Sequence, residues 1–201
     1  MLHLGGDETY VETYKDSGAV RDSALWGEKG LVSFERRLET LLQSLQRSSS
    51  GRPGDGIGSV RATLRWHDAF GVDELRKCCF PPARTIVEVW KGSGEYGHMD
   101  SKCNVTSQGL HVLVTDQSYL YLDRKFLRDW TKSYGYDVYR CGSQSNLKRG
   151  FPMPLEQRRL VLGGELGCWG ACMKDVLEGG AAALPWRNIF GYAEQLWSHR
   201  R

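Results

Sequence analysis

An α/β fold of βα units around a parallel sheet is the class this sequence predicts. Runs rich in Val, Ile, Leu and Thr recur at Val60–Trp66, Thr85–Trp90, Leu110–Thr115 and Leu160–Glu165, and they read as strands. Helical or irregular segments accompany them at Val72–Lys77, Lys125–Tyr134, Lys174–Leu177 and Trp186–Trp197. Strands alternating with helices argue for βα units. The third observation is chemical. In a parallel barrel, function collects at the C-terminal ends of the strands. Here Asp7-Glu8, Trp66, Trp90, the Leu120-Tyr121-Leu122-Asp123 segment and Trp169 place aromatic or acidic groups at or just past five successive strand ends. Core packing alone does not distribute them so regularly.

Taken in order, the chain opens with Leu2 and Leu4 alternating with His3, the period of a short buried strand. Gly5-Gly6 then permits backbone angles that other residues resist. In a regular strand Asp7 and Glu8 would point to opposite faces; at a strand end loosened by two glycines they can share a site. Adjacent carboxylates in a cleft do not ionise alike, because each charge raises the pKa of the other group. One can then serve as a general acid while the other stays an anion. A strand followed by a solvated acidic turn suits the same residues.

Residues 9–32 read as a loop with a weak helix. Ser33 is a candidate N-cap and Glu35 suits a first turn, ahead of an apolar face of Phe34, Leu38, Leu41, Leu42 and Leu45. The breaker-rich stretch from Ser48 to Gly56 ends that helix, and residues 48–58 are expected to form a flexible insertion loop.

The 201 residues are 40% apolar and 25% charged, ordinary for a globular domain with a sizeable core. A net charge of +3 with mixed signs argues against a nucleic-acid or membrane-surface partner. No apolar run approaches the ~20 residues of a membrane span, and Met1 runs straight into a strand rather than a secretory leader. The six cysteines, Cys78, Cys79, Cys103, Cys141, Cys168 and Cys172, show no paired C-x-x-C spacing for structural zinc. Their even number allows disulfides of unspecified connectivity. Asn104-Val105-Thr106 is a glycosylation acceptor triplet. Seven tryptophans are more than a core of this size requires, and flat aromatic faces suit sugar rings. Trp26, Trp130 and Trp197 are expected in the core.

Five stretches, in order, resemble the family-20 glycoside hydrolases, the β-N-acetylhexosaminidases. They are His3-Leu4-Gly5-Gly6-Asp7-Glu8, Thr85-Ile86-Val87-Glu88-Val89-Trp90-Lys91, Tyr121-Leu122-Asp123, Gly163-Gly164-Glu165 with Trp169-Gly170, and Ala193-Glu194-Gln195-Leu196-Trp197-Ser198. The resemblance implies a partial (β/α)8 TIM barrel, about strands 4 to 8, truncated at both ends. Residues 1–201 would then be the C-terminal part of a single catalytic barrel. It also implies a retaining, substrate-assisted hydrolysis of terminal N-acetylhexosamines, in which the substrate's acetamido oxygen attacks its own anomeric carbon. Glu8 matches the general acid and base, and Asp7 the carboxylate that orients and stabilises the acetamido group. Tyr121 matches the hydroxyl on the acetamido oxygen, Trp66, Trp90 and Trp169 the apolar walls, and Asp123 a ligand of sugar hydroxyls. His3, which precedes the catalytic pair on the strand, is expected to be a buried, hydrogen-bonded support rather than a proton carrier. Implied further are a carbohydrate substrate, no cofactor or metal, a lysosomal, vacuolar or secreted location, and room for a homodimer of the full-length parent.

Two departures accompany the resemblance. The family usually has Glu two residues after the last wall tryptophan, where this chain has Ala171; losing such a charged hydrogen bond costs on the order of 1.5–3 kcal/mol of binding. Cys168 and Cys172 flank the same turn, also unlike the usual pattern. Together with the missing upstream strands, Ala171 suits an alternative, an impaired half barrel acting as a carbohydrate-binding or interaction protein. A third reading, a metallohydrolase using His3, Asp7, His67 and Asp68, lacks any His-x-x-x-His spacing.

Overall fold

The computed structural model describes residues 1–5, 27–48, 62–91, 101–122, 130–142, 144, 150–169 and 183–198. The chain divides into two units, Met1–Val87 and Glu88–Arg201, with the boundary inside one strand.

In the first unit, β1 (Leu2–His3) runs parallel to β2 (Thr63–Trp66), with Leu2 opposite Thr63 and His3 opposite Leu64. Between them in sequence lies α1 (Gly27–Ser48). After β2 come α2 (His67–Phe70), α3 (Asp73–Cys79) and the first residues of β3 (Thr85–Val89). Thr63 N donates to Arg84 O as the chain enters β3. Leu64, Ala69, Phe70, Leu75, Phe80 and Val87 form the core.

Three expectations are corrected here. The first helix begins at Gly27, so Ser33 lies in its second turn and is not an N-cap. Its buried face is Val32, Glu35, Glu39 and Leu42, whereas Phe34 and Leu41 are exposed. The reason is Arg65 on β2, which is fully buried and bonded to both Glu35 and Glu39, while Glu39 also pairs with Arg84. A buried guanidinium without a partner costs more than exposing two apolar side chains, so the carboxylates set the rotation of the helix. Leu2 and His3 are exposed rather than buried, because among the described residues of this unit β1 is bordered by β2 alone.

The second unit carries the end of β3, then α4 (Ser101–Ser107), β4 (His111–Val114), α5 (Gln117–Leu120) and α6 (Trp130–Tyr134). A short antiparallel pair, β5 (Arg140–Cys141) and β6 (Phe151–Pro152), is followed by α7 (Leu155–Arg158), β7 (Val161–Gly164) and α8 (Ala183–Ser198). Thr115 N donates to Val89 O at 2.8 Å, tying the ends of β3 and β4. Strands β4 and β7 are parallel, with the register shifting between Val112 and Leu113. Gly163, opposite Leu113, takes φ of 139°, which a side chain would resist. Val105, Val112, Val114, Leu120, Tyr136, Val138, Met153 and Tyr192 are buried at the centre.

Strands β1, β2, β3, β4 and β7 each lie within an expected interval. The hairpin of β5 and β6 was not expected. Trp130 and Trp197 are exposed, against expectation, and Trp26 lies outside the described residues. Trp130 rests one edge on the bare backbone of Gly191 and packs edge-on against Tyr134, leaving its other side to solvent. Trp197 stands in the last turn of α8 at 90% exposure. Residues 49–58 and the expected helix at Lys174–Leu177 lie outside the described residues. Cys103 is bonded to Cys141 and Cys78 to Cys79, pairings that the sequence left open.

Candidate active site

In the second unit three strand exits converge on a group of aromatic rings. Trp90 directly follows β3, and its carbonyl accepts from Gln117 N at 2.7 Å. Asp116 caps the short α5 by accepting from Ser118 N at 2.9 Å. That helix turns the chain so that Tyr121 forms a parallel bridge with Gly167, beyond β7. Leu122 N donates to Gly167 O at 2.7 Å, and Gly167 N to Leu120 O at 2.9 Å. Tyr121 therefore reaches the site through a helical turn rather than from the end of β4 itself.

The rings of Trp90 and Tyr121 lie 6.4 Å apart with planes 11° from parallel. Those of Tyr121 and Trp169 lie 5.7 Å apart, tilted by 59°. Trp90 and Tyr121 are 8% and 7% exposed, and Trp169 is 46% exposed. Two rings are thus held rigidly by packing, while the third presents a face to solvent. Such a wall suits an apolar group bearing a polar edge. Lys91 Nζ stands 4.5 Å from the centre of the Trp90 ring, within cation–π range.

Glu88, in β3, is buried and accepts from Thr115 Oγ1 at 2.8 Å. This pair, Asp116 and Gly167 hold the exits in place, and sequence reading had not singled them out. A signal for Glu88 existed, a lone charge among the β-branched residues of Thr85–Val89. Gly167, two residues before Trp169, had no comparable signal.

The first unit supplies a separate group. Trp66 closes β2, and its N–H donates to Gly5 O at 3.1 Å. Gly5 takes φ of 69°, the left-handed conformation anticipated for this turn. Gly5 N in turn donates to His3 Nδ1 at 2.9 Å, and the His3 and Trp66 rings meet edge to face at 5.4 Å. His3 is hydrogen-bonded as expected but exposed, a correction to its expected burial. His67 Nδ1 stands 3.7 Å from Asp68 Oδ2. Among the described residues no three His, Cys, Asp or Glu side chains gather to hold a metal. Asp7, Glu8, Asp123 and Ala171 lie outside the described residues. Of the candidate residues, the structure brings together Trp90, Tyr121 and Trp169.

The family model "Glycosyl hydrolase family 20, catalytic domain" matches residues 1–200. The chain belongs to this family. Curated relatives agree along the whole chain. The beta subunit of beta-hexosaminidase from Homo sapiens is 25% identical over 201 residues, covering 100% of this chain and 31% of its own length. The beta subunit from Felis catus is 28% identical over 201 residues, covering 98% and 32%. Beta-hexosaminidase A of Caenorhabditis elegans is 26% identical over 208 residues, covering 98% and 34%. The family-20 chain thus spans about a third of the length of these relatives.

Two solved structures share the fold. A family-20 exo-beta-N-acetylglucosaminidase from Vibrio harveyi, in complex with N-acetylglucosamine, aligns with TM-score 0.54 at 15% identity, over 99% of this chain and 29% of that one. A family-20 beta-N-acetylhexosaminidase from Streptomyces coelicolor aligns with TM-score 0.55 at 16% identity, over 99% and 34%. The parallel pairs β1–β2 and β4–β7 and these neighbours agree with the TIM-barrel class.

Proposed function

We propose that this chain forms the C-terminal part of the catalytic barrel of a β-N-acetylhexosaminidase, about strands 4 to 8, the remaining strands coming from a full-length parent. The parent removes terminal non-reducing N-acetylglucosamine or N-acetylgalactosamine from β-linked glycoconjugates or chito-oligosaccharides. The observation that carries this reading is the assembly of Trp90, Tyr121 and Trp169 at the exits of successive βα units. Aromatic faces around one hydroxyl suit an N-acetyl group, whose methyl is worth about 1 kcal/mol when buried and whose oxygen takes a hydrogen bond.

In this mechanism Tyr121 donates to the acetamido oxygen as that oxygen attacks the anomeric carbon. Asp7 orients the acetamido N–H and faces the positive charge of the oxazolinium-like intermediate. The attack is intramolecular, so proximity supplies much of the rate. Glu8 protonates the leaving oxygen, then takes a proton from the water that opens the intermediate. Trp66, Trp90 and Trp169 wall the sugar and Asp123 binds its hydroxyls. The disulfides support a lysosomal, vacuolar or secreted setting.

The test is Glu8→Gln in the full-length parent. Hydrolysis of substrates with poor leaving groups should collapse, while activated aryl N-acetylglucosaminides, which need less protonation, should lose far less. Equal loss on both classes would remove Glu8 from the role of acid.

A further inference from the structure

We propose that Asn104 is an N-glycosylation site, modified on the nascent chain before α4 forms. Asn104-Val105-Thr106 is the sole Asn-x-Ser/Thr triplet in the sequence, and it lies within α4. The buried face of that helix is Lys102, Val105 and Thr106. Asn104 is half-buried, and its Oδ1 accepts from Gln108 Nε2 at 3.1 Å on the exposed side. This bond occupies the amide oxygen, whereas a glycan attaches at Nδ2. The folded helix therefore keeps its Gln108 contact with a glycan projecting to solvent.

A second observation concerns the compartment. The residue beside the acceptor, Cys103, is bonded to Cys141. Such bonds persist in oxidising compartments, the ER lumen among them. There the step needs a lipid-pyrophosphate-linked oligosaccharide as donor. A C–N bond forms between Asn104 Nδ2 and the anomeric carbon of the donor's reducing-end sugar. The C–O bond to pyrophosphate breaks, the lipid pyrophosphate leaves, and one amide proton passes to solvent.

A third observation sets the timing. The hydroxyl of Thr106, the third residue of the acceptor triplet, is buried. It lies 2.9 Å from Lys102 O and 3.1 Å from Gln157 Oε1, on the far side of the helix from solvent. An enzyme that reads Asn and Thr together reaches both only while the segment is extended.

The experiment expresses the full-length parent in secreting eukaryotic cells and maps peptides before and after endoglycosidase treatment. Residue 104 should carry an asparagine-linked glycan, and Asn104→Gln should lose the endoglycosidase-dependent mobility shift assigned to it. Thr106→Ser, which keeps the hydroxyl, should retain it. A secreted wild-type protein with unmodified Asn104 would overturn the site, and the peptide map decides this even if Asn104→Gln is not secreted. Unglycosylated folded parent given to detergent-permeabilised microsomes should stay unmodified, whereas the same chain unfolded and reduced should be modified. Equal modification of both would overturn the timing.

Discussion

The backbone of Gly167 lies against the ring of Tyr121. A Cβ on Gly167 would stand 2.9 Å from Tyr121 Cδ1, 3.0 Å from its Cε1 and 3.1 Å from Trp169 Nε1. Real Cβ contacts are not that close, so any side chain at 167 must push one or both rings. The ladder bonds on either side of Gly167 keep the backbone from retreating. Gly167→Ala in the full-length parent should therefore act on the aromatic site. Overpacking of this size costs about 1–3 kcal/mol, and if half of it appears in transition-state binding kcat/KM falls by roughly two- to tenfold. Steady-state kinetics on an aryl N-acetylglucosaminide check this. An unchanged kcat/KM would detach Gly167 from the site.

Asp7→Asn keeps the shape of the side chain and removes the charge proposed to face the oxazolinium. Its rate should fall by roughly two or more decades with little change in substrate binding. Tyr121→Phe should move kcat the same way, since it removes the hydroxyl proposed to hold the acetamido oxygen. A near-normal rate in either variant would leave that residue a structural role only.

The buried cluster of Arg65, Glu35, Glu39 and Arg84 makes two predictions for stability. Arg65→Met leaves the buried Glu35 carboxylate without its partner, while Glu39 keeps Arg84, and should destabilise the protein by about 3–5 kcal/mol, read from thermal or denaturant unfolding. Burial pushes the Glu35 carboxyl above its ordinary 4.5, outweighing the pull of Arg65. A carboxyl raised in the folded state contributes stability that is complete below its unfolded pKa and is lost as pH rises through the folded value. The stability difference between wild type and Glu35→Gln should therefore shift against the wild type as pH rises from about 4.5. A difference that is flat with pH would contradict the raised carboxyl.

Tyr192 from α8 is buried, and its hydroxyl has no hydrogen-bond partner among the described residues. A Cβ on Gly164 would overlap that oxygen, so the tyrosine wedges against bare strand backbone. Burial, with Asp116 and Asp137 nearby, raises its pKa far above the ordinary 10.0. The linked stability is complete below pH 10 and is lost at higher pH, at up to about 1.4 kcal/mol per pH unit. Tyr192→Phe should match or exceed wild-type stability at neutral pH and lose less of it above pH 10. Marked destabilisation at neutral pH would mean that the hydroxyl is bonded.

Local pattern and motif spacing determined a large part of this protein from the sequence alone. Strand intervals were legible because β-branched runs such as Thr85–Val89 state their preference locally. The positive φ at Gly5 was legible because a glycine pair before polar residues marks a turn. The family was legible because its words follow one another along the chain in a set order.

What only the tertiary structure decided depends on partners distant in sequence. The rotation of α1 was misread because its apolar residues, Phe34 and Leu41 among them, outweighed two carboxylates whose shared partner Arg65 lies 30 and 26 residues away. Trp130 could not be placed without the bare backbone of Gly191 to lean on. The pairing of Cys103 with Cys141 spans 38 residues and joins α4 to β5. Gly167 became part of the site only when the Tyr121 bridge put its backbone under two rings. A sequence pattern records what a residue prefers by itself; burial, pairing and close approach are decided by whichever other segment the fold sets beside it.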